Sequence, residues 1–224
     1  MITLHHLNNS RSQRIIWLLE ELAVDYEIVQ HQRDRKTQLA PASLRAIHPL
    51  GKSPVIVDNS NQVVLAESGA IIEYLIQNYG DSQWQKSPSQ ADYWDYIFWL
   101  HFSEGSVMPP LVMRLVMKGV STAPMPFFAK PIARSISSKV LAQYVQPTIG
   151  KNLAFIENHL KQRQWFTHER ISGADIQMSF PLEAGVKSGL IDERFPAISA
   201  FVERCHARPA YQRALTRGGE YAYA

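Results

Sequence analysis

The stretch Gly51-Lys-Ser-Pro-Val-Ile-Val-Asp-Asn-Ser-Asn-Gln-Val-Val-Leu-Ala-Glu-Ser68 decides how the chain folds. Within it, Pro54-Val-Ile-Val57 and Val63-Val-Leu65 flank the turn-forming Asp58-Asn-Ser-Asn61, the pattern of a hairpin. Proline cannot donate to a strand ladder, so Pro54 belongs at a strand's first residue or edge. A strand-start proline is the plain reading. A cis Ser53–Pro54 peptide would instead turn the N–H and C=O of Ser53 outward to pair with an extended peptide ligand. Glu67-Ser68 then opens a helix running to Tyr79, with Ile71, Ile72, Leu75 and Ile76 on one face and Gly80 as its stop. Ser and Glu are ordinary residues at a helix start. That position also offers a hydroxyl, a carboxylate that can pair with an ammonium, and free N–H groups with partial positive charge that attract a carboxylate.

Upstream, Ile2-Thr-Leu-His-His6 alternates as a strand, Ser12–Ala23 carries Ile15, Ile16, Leu18, Leu19 and Leu22 at helical spacing, and Tyr26–Val29 is a second strand. The order is β-α-β, an irregular crossover, then β-β-α, which implies one parallel pairing and a closing antiparallel hairpin. Residues 81–88 are polar and turn-rich, as a linker is. Beyond them the pattern is helical: a helix from about Ser89 that must kink or end near Met108-Pro-Pro110, an irregular piece holding Pro124, Pro126 and Pro131, and helices over 132–163, 173–188 and 196–208. Trp94, Phe98 and Phe102 read as a core stripe. Ser172-Gly-Ala-Asp175, between Ile171 and Ile176, reads as a capping box with a hydrophobic staple, a structural device.

The bulk numbers bound the function. With 46% hydrophobic and 19% charged residues, 224 residues can bury a sizeable core. The net charge of +3 comes from basic residues scattered through the second half, a solvated surface and not a nucleic-acid stripe. Cys205 is the one cysteine, so no intramolecular disulfide or cysteine-based metal site is expected, as in a reducing compartment. His5, His6, His159 and His168 lack ligand spacing, and no metal is expected. The N-terminus lacks a signal-peptide pattern and no apolar run reaches membrane-spanning length, so the expectation is a cytoplasmic protein without membrane or nucleic-acid partners.

A β-α-β-β-β-α half joined by a short linker to an all-helical half resembles the cytosolic glutathione transferases over nearly the whole chain. The resemblance implies an α/β thioredoxin-like N-terminal domain (1–80) that binds glutathione, plus an all-α C-terminal domain (89–224) that contributes an electrophile pocket. It implies that Glu67-Ser68, which follows Pro54 by the 13 residues that separate Pro54 from Glu67, holds the γ-glutamyl group, and that Ser53 and Pro54 meet the peptide. Lys52 is a candidate for the glycyl carboxylate, or a plain surface lysine. The family usually forms two-fold dimers, so a homodimer is implied. The chain is similar to bacterial and fungal members without a catalytic tyrosine, and glutathione would be the co-substrate in conjugation to small electrophiles, a detoxification role, with reduction of peroxides as a further activity. A glutathione-dependent disulfide reductase and a non-catalytic interaction module are the rival functions.

In that family the residue activating the thiol lies between the first strand and the first helix. Here the segment is Leu7-Asn-Asn-Ser-Arg-Ser12, with neither Tyr nor Cys. Ser10 and Asn9 are the candidates, with Ser12 behind them. Ser10-Arg-Ser-Gln13 also reads as a capping box for the first helix. Lowering a thiol pKa by about two units from about 8.5 requires roughly 2.7 kcal/mol, within reach of one hydrogen bond to a charged acceptor at about 1.5–3 kcal/mol. Arg11 could assist, although loop arginines are ordinarily solvated. Met108, Leu111, Met113, Met117, Met125, Phe127 and Phe128 crowd one proline-rich stretch; each is an ordinary core residue or part of an adaptable apolar pocket for the second substrate.

Overall fold

The computed structural model describes residues 1–34, 37, 39–167 and 170–224; His168 lies outside them. β1 (Ile2–Leu7), α1 (Ser12–Glu21), β2 (Tyr26–His31), α2 (Ala42–Ile47), β3 (Val55–Asp58), β4 (Val63–Ala66) and α3 (Ser68–Tyr79) form the first domain. Its sheet runs β2-β1-β3-β4, with β1 parallel to β2, antiparallel to β3, and β3 antiparallel to β4. The expected irregular crossover contains the short helix α2, whose one buried side chain is Leu44. The apolar faces read from the sequence meet: Leu4 and Ile56 of the sheet, Ile15, Ile16 and Leu19 of α1, and Ile71, Ile72 and Leu75 of α3 all sit in one core.

Asp58 ties the hairpin to α3. Its buried carboxylate accepts from the Ser60 N–H (2.9 Å) and hydroxyl (2.6 Å), from Tyr74 Oη (2.7 Å) and from Tyr79 Oη. Burial alone would raise its pKa, but these four donors outweigh burial and hold it well below the usual carboxylate range. The second half of α3, through Tyr74 and Tyr79, is therefore tied to the end of β3.

The helical domain comprises α4 (Tyr93–Phe102), α5 (Met108–Thr122), α6 (Ala129–Val140), α7 (Gln146–Leu160), α8 (Gly173–Lys187), α9 (Pro196–His206) and α10 (Pro209–Gly218). Met108-Pro-Pro110 does not end the helical path. A π-helical turn, Ser103–Val107, joins α4 to α5, and the two prolines occupy the first turn of α5, where their missing N–H groups cost little. Pro110 leaves the Ser106 carbonyl without its usual i+4 donor, and Asn152 Nδ2 donates to it at 2.8 Å.

Several sequence expectations are corrected. Trp94 is 69% and Phe98 44% exposed, so of this stripe only the half-buried Phe102 packs on the core. Pro131 lies in the first turn of α6 and not in an irregular piece. The 132–163 helix is two helices joined by a second π-helical turn, Leu141–Val145. Residues 209–218 form α10, which the sequence reading left unassigned. The Ser10–Gln13 capping box is absent: Arg11 is the N-cap of α1, and Gln13 turns away to donate from Nε2 to the Ala214 carbonyl of α10 at 3.1 Å.

The capping box of α8 is formed. Asp175, fully buried, accepts from the Ser172 N–H (2.8 Å) and hydroxyl (2.9 Å) and, through its other oxygen, from the Phe166 N–H (2.8 Å). Gly173 beside it allows α8 to approach α3, since a Cβ there would stand 2.7 Å from Ile72 Cγ2 and 2.8 Å from Ile76 Cδ1. Removing the carboxylate strands three buried donors, so Asp175→Ala is expected to destabilise the fold by about 2–4 kcal/mol, read as a lower urea midpoint. Burial raises the Asp175 pKa to about 6 against those hydrogen bonds. A folded-state pKa above the unfolded one means stability present below about pH 4 and lost as pH rises through 6. The urea midpoint of Asp175→Asn, measured from pH 4 to 7, should lack that decline.

Candidate active site

The turn from β1 into α1 carries the thiol-end candidates. Asn9 holds φ at +50°, a conformation asparagine tolerates, and its Oδ1 accepts the Ala222 N–H at 2.8 Å. Ser10 is buried. Its Oγ accepts the Ser12 N–H at 3.2 Å and lies 2.8 Å from Ser12 Oγ and 3.5 Å from Ser53 Oγ. Ser12 Oγ stands 2.8 Å from His6 Nδ1. Burial lowers the His6 pKa to about 4, against a hydrogen bond from its ring to the Gly218 carbonyl. The imidazole is thus neutral at pH 7, with Nδ1 free to accept the Ser12 proton. The Ser10 proton is left to reach Ser12, Ser53 or a molecule beside it.

Ser10 faces a cavity of about 420 Å³ whose walls include Asn9, Arg11, Arg33, Arg45, Gly51, Lys52, Ser53 and Phe180. Gly51 has φ +58°, and a Cβ there would stand 2.5 Å from Arg45 Cγ, so the loop needs a glycine to seat the arginine. Phe180 comes from α8, so the helical domain closes this cavity. Adjoining it is an apolar cavity of about 660 Å³, lined by Arg11, Glu104, Met108, Pro109, Val112, Met113, Val116, Met117 and Val140. Arg11 lines both. Of the seven residues of the proline-rich stretch, Met108, Met113 and Met117 line this second cavity, Leu111 packs on the core, Met125 is half-buried, and Phe127 and Phe128 are exposed.

Behind the cavities Arg14 is buried, 2% exposed. Nη2 donates to Ser68 Oγ and, at 2.6 Å, to Glu104 Oε1, while Nη1 donates to the Gln177 carbonyl. That carbonyl is open because Pro181, four residues on, has no N–H; Ser103 Oγ also donates to it, at 2.9 Å. Arg11 Nε donates to both Glu104 oxygens, at 2.9 and 3.0 Å. Burial would raise the Glu104 pKa, but Arg14 and then Arg11 hold it below its ordinary value.

The structure brings Asn9, Ser10, Lys52 and Ser53 to one cavity. Pro54 is buried behind Ser53, and the peptide between them is cis. Glu67 and Ser68 do not line that cavity. They stand at the start of α3, Glu67 exposed with φ +69° and Ser68 buried against Arg14. Sequence reasoning missed Arg14, Arg33, Arg45 and Phe180. Arg14 had a signal, a charge inside the apolar run of α1; the others are brought in by long-range folding. Among the described residues no group of three or more His, Cys, Asp and Glu side chains is placed to hold a metal ion.

A mixed sheet with a cis proline beside a polar cavity, closed by a helical domain, defines a thioredoxin-like two-domain protein. The family models for the glutathione S-transferase N-terminal domain and C-terminal domain match residues 4–83 and 116–209. The chain is 38% identical to glutathione S-transferase 3 of Schizosaccharomyces pombe, over 94% of this chain and 85% of that protein. It is 34% identical to glutathione S-transferase 1 of Saccharomyces cerevisiae, over 94% and 92%. A crystal structure of a glutathione S-transferase from Actinobacillus pleuropneumoniae matches with TM-score 0.81 at 32% identity, over 99% of this chain and 94% of that one. The chain belongs to the glutathione S-transferase family.

Arg14→Met would leave Ser68, Glu104 and the Gln177 carbonyl without their shared donor. It is expected to destabilise the protein by about 3 kcal/mol, and Glu104→Gln by less, because an amide oxygen still accepts. Urea midpoints of the two variants check the ranking.

Proposed function

We propose that this chain binds glutathione in the 420 Å³ cavity and transfers it to small apolar electrophiles held in the 660 Å³ cavity. The observation that carries this reading is the adjacency of the two: a polar cavity with a buried serine hydroxyl opens beside an apolar one, with Arg11 common to both. Conjugation needs a thiolate and an electrophile held within reach of each other, and proximity of that kind supplies much of the rate.

The assignments follow the charges. Lys52, Arg33 and Arg45 supply cations for the glycyl carboxylate. Ser53 offers its backbone to the cysteinyl peptide. The γ-glutamyl group extends beyond that cavity to the N-terminus of α3, whose free N–H groups suit its carboxylate beside Ser68 and whose exposed Glu67 suits its ammonium. Ser10 is assigned as the donor to the thiolate and Asn9 as its alternative. Ser10 is favoured because its buried hydroxyl stands 3.5 Å from Ser53 Oγ, beside the residue assigned to the cysteinyl peptide, whereas Asn9 would donate through Nδ2.

Within this reading residues 1–80 are the glutathione-binding domain and 89–224 the domain carrying the electrophile cavity. The protein is assigned to the cytoplasm, where glutathione is abundant and reduced. A homodimer is proposed as well, supported by the exposed Trp94, Phe98 and Phe155, with Phe98 packed on both Phe102 and Phe155.

Glutathione at several millimolar should raise the melting temperature; no shift would sink the reading. In Ser10→Ala the bound thiol should titrate about 1–2 units higher, followed by thiolate absorbance, with affinity nearly unchanged. Turnover should fall at neutral pH and recover as pH rises. Asn9→Gly keeps the backbone conformation and should leave that titration where it is. A shift in Asn9→Gly alone would move the assignment to Asn9.

A further inference from the structure

Arg11 is more than a lining residue. Its Nε donates to both oxygens of Glu104, and among the described residues its two terminal amino groups donate to nothing. Glu104 is also claimed by Arg14, so two guanidinium groups share one carboxylate and the pair leaves one positive charge unmatched. The Arg11 side chain is 33% exposed and packs over the Phe180 ring, 5.7 Å from its centroid. Phe180 and Ser10 both belong to the polar cavity, whereas Met108, Met113 and Met117 belong to the apolar one. The unspent N–H donors therefore lie at the boundary between the assigned thiol position and the apolar walls.

We propose that Arg11 is the specificity-determining residue for the second substrate and selects electrophiles in which an oxygen conjugated to the reacting carbon takes up the negative charge, namely α,β-unsaturated carbonyl compounds with an apolar tail. The proposal rests on the transferase reading above. The step balances without further reagents. Glutathione's thiol releases its proton to solvent, and the thiolate sulfur bonds to the β-carbon. The C=C π pair moves so that the charge arrives on the carbonyl oxygen, as an enolate. Arg11 donates to that oxygen through a terminal N–H. The α-carbon then takes a proton from water and the carbonyl re-forms, with no leaving group. An alkyl halide attacked by the same thiolate puts its charge on the departing halide, a larger and softer acceptor that gains less from a fork-shaped donor than an enolate oxygen does. A donor placed where charge develops acts on the transition state, and the planar arginine fork suits an oxygen better than an ammonium does.

The test is a ratio measured within each variant. With glutathione at saturation, kcat/KM is determined for trans-2-nonenal and for benzyl chloride in wild type, Arg11→Met and Arg11→Lys. The ratio of enal to halide should fall about 10–30-fold in Arg11→Met and by a smaller factor in Arg11→Lys. Damage to folding or to thiol activation lowers both rates together and cannot move the ratio. If Arg11→Met does not fold, Arg11→Lys, which keeps the charge at the start of α1, reads the same ratio. A ratio within threefold of wild type in the folded variants overturns the assignment of Arg11 while the transferase reading stands. Wild type that consumes neither electrophile overturns the transferase reading and this proposal with it.

Discussion

A guanidinium cannot be buried alone: stripped of water and partners it costs several kcal/mol, so everything near Arg14 must be arranged to receive it. Its acceptors come from both domains. Ser68 belongs to α3, Glu104 to the π-helical turn after α4, and the Gln177 carbonyl to α8. Each of those elements is thereby fixed relative to α1, and α1 begins at the turn that presents Ser10. The position of the candidate donor, the start of α3 and the closing wall at Phe180 are consequences of satisfying one charge.

The same economy appears in the helix breakers. A proline inside a helix normally forfeits a hydrogen bond and leaves a carbonyl stranded four residues back. In α8, Pro181 opens the Gln177 carbonyl to Arg14 and Ser103. At the start of α5, Pro110 opens the Ser106 carbonyl to Asn152. Both freed acceptors are spent on contacts between elements distant in sequence, so the local loss is recovered as tertiary fixation. Gly173 acts in a complementary way, removing a side chain where α8 and α3 approach each other closely.

Most of the fold was legible because its signals are local. The hairpin around Asp58–Asn61, the helix from Ser68 to Tyr79 and the Ser172–Asp175 cap each depend on residues within a few positions, and each forms as read. Trp94 and Phe98 show where this fails: helical spacing marks an apolar face but does not say whether anything covers it. Helix α10 was missed for the opposite reason, since its buried face, Ala210, Tyr211 and Ala214, is small and interrupted by charges. Of the site, the residues on short motifs were found. Arg33, Arg45 and Phe180 were not, because their place beside Ser10 is set by packing across the chain.

The electrostatics of the site also limit how a thiolate could be made there. The imidazole that meets Ser12, His6, is held neutral by burial, with its ordinary pKa lowered to about 4, and so is a poor resting place for a thiol proton. Cys205 is buried, its thiol pushed far up by burial, and it is remote in chemistry from the cavity. A base is therefore not what the site offers. It offers donors and positive potential: the Ser10 hydroxyl, oriented through Ser12 and His6, and the single charge left over when Arg11 and Arg14 share Glu104. On the proposed reading, the proton leaves for water and the anion is kept by hydrogen bonding and field. The neutral histidine then matters as an acceptor for the Ser12 proton, which leaves Ser12 Oγ to accept from Ser10 until a bound thiolate, the stronger acceptor, draws the Ser10 proton to itself.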